Sequence, residues 1–228
     1  GLGISGGGSK GATAAVACVS RKWIRPTEWL DLPATVDGNN VTYLLHAVYE
    51  NEPNWFSVYA TTSSGDYTVD LYNDTTAITT HSSAAQADFD LDYAKGTDEF
   101  AARGYKQVII KITGLITQID FYRRNPLANA WHISGILSCK ITSQTITSLL
   151  NCFGRSTSRT YHDNLEEFEY VGTCNVTSLS GAWKGDDLGK CSGAFTSVTN
   201  ADYAFKDGGN PDLTAFTLSP SATINVQE

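Results

Sequence analysis

The chain has 228 residues, of which 41% are hydrophobic and 11% aromatic, enough for a core that needs no covalent staple. Only 18% are charged, and the formal net charge of −8 excludes a phosphate-tracking nucleic-acid surface and leaves anionic membranes as poor partners. No window approaches the roughly 18–20 apolar residues of a spanning helix, while Thr, Ser, Gly, Asn and Asp crowd the sequence, so short strands and tight turns are expected throughout.

Residues 1–20 hold Gly6, Gly7 and Gly8 and almost no large apolar side chain before Val16. They read as a linker or docking arm ordered by a neighbour, without the charged start and apolar core of a secretory signal. No Met occurs and the chain opens on Gly, as a processed product or a piece of a longer polypeptide would. Residues 25–33 (RPTEWLDLP) carry two prolines that forbid a long helix, and two anchors, Trp29 and Leu32, expected to lie against the domain that follows.

From about residue 41 to 114, β-rich runs at 41–49, 55–60, 67–72, 76–80, 87–93 and 107–113 alternate with turn clusters at 50–53, 61–65, 73–74 and 95–96. Six strands at this spacing suggest a sandwich. Within it stand GDYTVDLYND at 65–74, FDLDY at 89–93 and GYKQVIIKIT at 104–113. These segments resemble the PKD-like immunoglobulin sandwich of bacteriophage tail and fibre proteins over about 75 residues, with Leu71, Tyr72 and Asn73 in place of that family's usual Trp-Gly-Asp. The resemblance implies a structural or adhesive module.

After Gly114 an internal repeat takes over. TITSLLNCF at 145–153, NVTSLSGAW at 175–183 and SVTNADYAF at 197–205 superpose, at offsets of 30 and 22 residues. Each is followed by a run ending in Phe168, Phe195 or Phe216. Such units bury their apolar residues only by stacking on the next unit. Residues 115–121 (LITQIDF) read as the first rung and residues 213–218 as the last. This half resembles the BspA-type leucine-rich repeats of bacterial surface and phage tail proteins. The expected fold class is therefore mainly β: a docking arm (1–20), a lead-in with an Ig/PKD-like sandwich (21–114) and an irregular leucine-rich-repeat-like solenoid (115–228).

Catalytic and metal chemistry finds little footing. His46, His81, His132 and His162 are scattered, with no HExxH or HxH spacing. Cys18, Cys139, Cys152, Cys174 and Cys191 show no CxxC spacing and read as small buried hydrophobes. Asp88, Asp90 and Asp92 alternate, as on one strand face, which fits a solvated face better than a Ca²⁺ site lacking EF-hand spacing. Glu166 and Glu167 are strand neighbours that point to opposite faces, unlike a glycosidase pair. The stretch around Ser5 lacks the strand that a nucleophile elbow requires, and the glycines at 6–11 lack P-loop spacing. No catalytic residue, cofactor or metal is expected.

Aromatics carry the expected recognition: Trp55, Tyr59, Trp131, Tyr161 and Tyr170 as stacking platforms for a glycan or anchors for a partner, with Trp183 a rung filler at the repeat position of Phe153 and Phe205. The resemblances imply a non-enzymatic virion component, in a tail fibre, baseplate appendage or head decoration. Its implied partners are other virion proteins, copies of itself, and a host-surface glycan or protein. A carbohydrate-binding or adhesin module on a bacterial surface is the alternative, and an accessory domain of a polysaccharide-degrading enzyme a third.

Overall fold

The computed structural model describes residues 22–97, 104–121, 135–154, 165–185 and 188–224. The docking arm expected at residues 1–20 lies outside them, as do Cys18, His132 and His162. The described residues form a mainly β protein with two sheets.

Strands follow the predicted runs closely: β1 (Val41–Val48), β2 (Trp55–Thr62), β3 (Tyr67–Asp70), β4 (Ile78–His81), β5 (Ala85–Asp90) and β6 (Lys106–Thr113). The run predicted at 87–93 splits: after β5, Asp92 accepts a hydrogen bond from Ala94 N and caps a single 3-10 turn, Tyr93–Lys95. Beyond Gly114 come β7 (Ile116–Asp120), β8 (Ile136–Thr142), β9 (Glu167–Tyr170), β10 (Lys190–Phe195) and β11 (Phe216–Leu218). The larger sheet runs β11-β10-β9-β8-β1-β6-β3-β4, and the smaller β5-β2-β7.

The pairing crosses residue 114 in both sheets. β8 lies antiparallel to β1, and β7 antiparallel to β2. One buried cluster runs without interruption from Leu44, Phe56, Val58 and Ile110 through Ile119, Phe121 and Phe153 to Trp183, Phe195 and Val198. The six-strand region and the repeats therefore share one core rather than meeting at an interface.

Past β8 the larger sheet changes from antiparallel to parallel, because each repeat climbs in the same direction. The opposite side of the stack is a second parallel ladder through Gln118, Ser148, Ser178, Asn200 and Thr223. Its steps from Ser148 to Ser178 and on to Asn200 reproduce the 30- and 22-residue offsets of the sequence repeat. Thr147, Thr177, Thr199 and Thr223 each donate both N–H and Oγ1 to the carbonyl of the threonine one rung before, at 2.8–3.4 Å. A hydroxyl at this position closes the ladder without a longer side chain.

Each rung turns through a left-handed residue at the same place: Asn151 (φ 52), Gly181 (φ 62) and Tyr203 (φ 58). Asn and Gly tolerate this conformation, whereas Tyr is strained in it. The following residues Phe153, Trp183 and Phe205 fill the rungs as the repeat predicts. Trp183 and Phe205 stack at 5.0 Å and 12°, and Phe121 and Phe153 at 5.0 Å and 26°.

The other aromatic superposition is corrected. Phe168 pairs with Cys191, while Phe216 pairs with Gly193 and Phe195 with Leu218, so Phe168, Phe195 and Phe216 occupy different rung positions. Composition alone superposes the three Phe runs, but backbone register sets the ladder, and the loops between strands differ in length.

β1 is buried on both faces. Leu44 and Val48 face the common core, and Val41, Tyr43, Leu45 and Ala47 face a second cluster with Trp29 and Leu32. Those two anchors lie on a strap formed by residues 22–40, which crosses the outer face of the larger sheet. At one end Trp23 N donates to Asp212 Oδ2 at 3.3 Å, and further along Trp29 Nε1 donates to Tyr105 OH at 3.4 Å and Leu30 N to Gln107 Oε1 at 2.9 Å. Asp37, its carboxyl held below the usual carboxylate range by Thr173 N and Oγ1 and by Gln144, ties the strap to the turn after β9.

Candidate recognition surfaces

Strand alternation divides β2 cleanly. Phe56, Val58 and Ala60 enter the core, which turns Trp55, Ser57, Tyr59 and Thr61 to the outer face of the smaller sheet. Across the ladder Trp55 faces Asp90, Ser57 faces Asp88, and Tyr59 lies between Gln86 and Asp120. Trp55 and Tyr59 are both half-buried, two strand repeats apart, or roughly 13–14 Å. On this face Ser57 and Asp120 are buried and the indole nitrogen of Trp55 is shielded, so what it offers is the partly exposed ring area of Trp55 and Tyr59.

The carboxylates here do not converge. Asp88 accepts from Gln86 Nε2 at 2.7 Å, Asp90 accepts from Asn54 N at 3.1 Å, and Asp92 caps its turn. Among the described residues no group of three His, Cys, Asp or Glu side chains is placed to hold a metal.

Tyr170 does not belong with the recognition residues. It points inward from β9, is 4% exposed, and donates from its hydroxyl to Ser143 O at 2.5 Å. Burial raises the phenol well above its ordinary range. Its neighbours Glu167 and Glu169 take the outer face instead, because the four-residue strand alternates. Trp131 and Tyr161 lie outside the described residues. Trp183 is fully buried between rungs.

A second polar surface, not anticipated from sequence, lies where the strap crosses β8, β9 and β10. Glu167, 13% exposed at its side chain, takes Arg25 Nε at 3.3 Å, Lys190 Nζ at 3.9 Å and Ser138 Oγ at 3.1 Å. One rung position along, Lys140 Nζ stands 3.7 Å from Glu169. Arg25 also donates to Leu30 O at 2.7 Å and lies over the Trp29 ring at 5.4 Å. The alternation of Glu167 and Glu169 along one short run was the signal available in sequence; their partners come from residues 23 to 142 positions away and could not be read locally.

No family model, curated protein or solved structure matches this chain. Cys139, Cys152, Cys174 and Cys191 are buried and outside any disulfide, and burial pushes the Cys139 and Cys191 thiols well up and Cys174 up to about 11, far from a reactive thiolate. His46 is buried, donates from Nδ1 to Ala47 O at 2.6 Å, and is driven down to about 4 by desolvation. His81 sits on β4 with its Nε2 2.7 Å from Thr79 Oγ1. No helix among the described residues is long and apolar enough to cross a membrane.

Proposed function

We propose that the protein is a non-enzymatic structural and adhesive component of a virion surface, in a tail fibre, baseplate appendage or head decoration. In this reading the six-strand region is an Ig/PKD-like sandwich and the rungs a short leucine-rich-repeat-like solenoid. The observation that carries it is the continuity of the larger sheet from β4 to β11, with one core shared by the six-strand region and the rungs, as suits a stiff spacer that presents a surface at a distance from its attachment. The family resemblance of residues 65–113 and of the 145–205 repeat supplies the phage context. Fold alone does not fix function, so the reading also rests on the outer face of β2, where Trp55 and Tyr59 suit glycan contact. Many copies on one particle would sum weak contacts into firm attachment.

The test is association with particles. An antibody against this chain should decorate purified virions from the source material at repeated positions in immunogold microscopy. Label confined to bacterial cell walls would overturn the virion reading and favour the alternative, a carbohydrate-binding or adhesin module of a bacterial surface protein, on which the same aromatic face would act.

A further inference from the structure

We infer that the open end of the rung stack is a self-association surface, on which a second copy of this chain docks by a two-fold contact. The inference names the surface for the self-association that the proposed function calls on, and it rests on that reading for its place in a particle, not for its chemistry.

Inner rungs show what the outermost rung lacks. Ile146, Val176 and Val198, each one residue before a ladder threonine, are buried, and so are Phe153 and Trp183 at the rung turns. Ala222 and Phe205 hold the same two positions at the end of the stack and are only partly buried, as is Leu218, the ladder partner of the fully buried Phe195. Phe205 and Phe216 meet edge to face at 5.9 Å, and Ile224 beside them is 58% exposed.

The backbone is open at the same place. Among the described residues β11 ends the larger sheet and Thr223 ends the opposite ladder. Ala215 O and Ser219 N bond to β10, so alternation turns the N–H and C=O of Phe216 and Leu218 to the free edge. Phe216 N is taken by Leu213 O, which leaves Phe216 O and Leu218 N for a partner. A rung that bares apolar side chains and a strand edge together is completed by a further strand with an apolar face.

Charge and topology select a second copy as that partner. Residues 213–224 hold no charged side chain, whereas an edge protected from pairing carries Lys or an inward charge. Two copies of net charge −8 repel over most of their surface, and this end lets them approach without that repulsion. Asp212, just before it, is buried and accepts from Trp23 N and Thr214 N. The other end of the stack is closed, because β8 pairs with β1 and β7 with β2. Head-to-tail addition is therefore blocked, and open end meets open end in an isologous, closed dimer. β11 runs antiparallel to its equivalent about Thr217, with Leu218 N donating to Phe216 O of the second copy and the reverse. The contact, residues 205 and 213–224, is smaller than the roughly 20–30 residues a side of a standard interface, so a micromolar dissociation constant is expected.

The test is sedimentation equilibrium of the intact chain from nanomolar to hundreds of micromolar. Monomer and dimer alone are expected, exchanging in the micromolar range. Thr217→Lys opposes two like charges across the two-fold and should weaken the dimer about tenfold or more. Thr217 is exposed, so at monomer concentrations this variant is expected to melt as the parent does. Leu150→Lys, on an inner rung turn, should leave association unchanged. Thr217→Cys should oxidise in air to a disulfide-linked dimer, because directly opposed Cα atoms of this pair type lie about 4.5 Å apart, within a disulfide's range. A monomer at every concentration, growth beyond the dimer, or indifference to Thr217→Lys overturns the assignment. So does a disulfide from position 217 to Cys18, which would make residues 1–20 of the same chain the occupant. Particle labelling is measured independently, so failure of this surface and failure of the virion reading are distinguishable.

Discussion

Trp183 is the residue through which the shared core is most sharply tested. It is fully buried, with Phe168 at 4.9 Å, Phe205 at 5.0 Å and Phe195 at 6.3 Å. An aromatic side chain of this size buries roughly 150–250 Å², which at about 25 cal/mol per Å² corresponds to about 4–6 kcal/mol, and Trp→Ala in cores costs about 3–5 kcal/mol. Trp183→Ala should therefore destabilise the protein by about 4 kcal/mol.

Trp183→Phe should behave differently. Phe already fills this rung position at 153 and 205, and the indole Nε1 of Trp183 is buried without a hydrogen-bond partner. Loss of one ring's area, about 1 kcal/mol, is offset by removal of an unsatisfied donor worth about 1–3 kcal/mol, leaving the variant within about 1 kcal/mol of the parent. Urea unfolding, followed by circular dichroism and by fluorescence of the remaining tryptophans, including Trp55 on β2, measures both effects. One core requires that Trp183→Ala move both signals to the same lower midpoint. Equal losses in the two variants, or a Trp55 transition that stays in place while the dichroism shifts, would refute the reasoning.

Other outcomes follow from the same packing. Gly154→Ala should cost several kcal/mol, because an added Cβ would overlap the Gly181 carbonyl of the next rung and neither backbone can retreat without opening the ladder; thermal melting reads this. Tyr203→Asn should raise stability by about 1 kcal/mol, since the left-handed φ of 58° costs a non-Gly side chain about 1–2 kcal/mol and the lost contact with Lys206, 5.3 Å from the ring, is worth about 0.5 kcal/mol at a surface. Stability should fall as pH drops from 6.5 to 4. His46 is held neutral in the fold with its pKa lowered to about 4, so the unfolded chain binds the extra proton in that window, and about 3 kcal/mol is lost across it. Urea midpoints at successive pH values that stay level there would contradict the burial of His46.

The strands of residues 41–113 were legible because alternation and turn chemistry are local. The rungs were legible at 147, 177 and 199 because a parallel ladder repeats the same residue types at the same backbone position. Non-local features were hidden. Val41–Val48 is an almost unbroken apolar run, the mark of a strand covered on both faces, yet nothing local says that a strap supplies the second cover. The sharing of sheets across residue 114 depends on β1 accepting β8 as well as β6, a choice made in space. This sharing also bears on residues 35–114 produced as an isolated fragment. It would lose β7, β8 and the strap, bare Leu44 and Tyr43 on opposite faces, and fail to show a cooperative transition. Tyr170 misled because aromatic residues in polar surroundings look exposed, whereas strand phase, set by Phe168, turned it inward.

The central claim, that this chain is a repeated structural component of a virion surface, is tested most directly by electron cryo-microscopy of the particles from which it comes. The account predicts symmetric, repeated density into which the eight- and three-stranded sheets fit as one rigid body, with the outer face of β2 turned to solvent. Particles without such density, with the chain recovered as a free monomer, would contradict it.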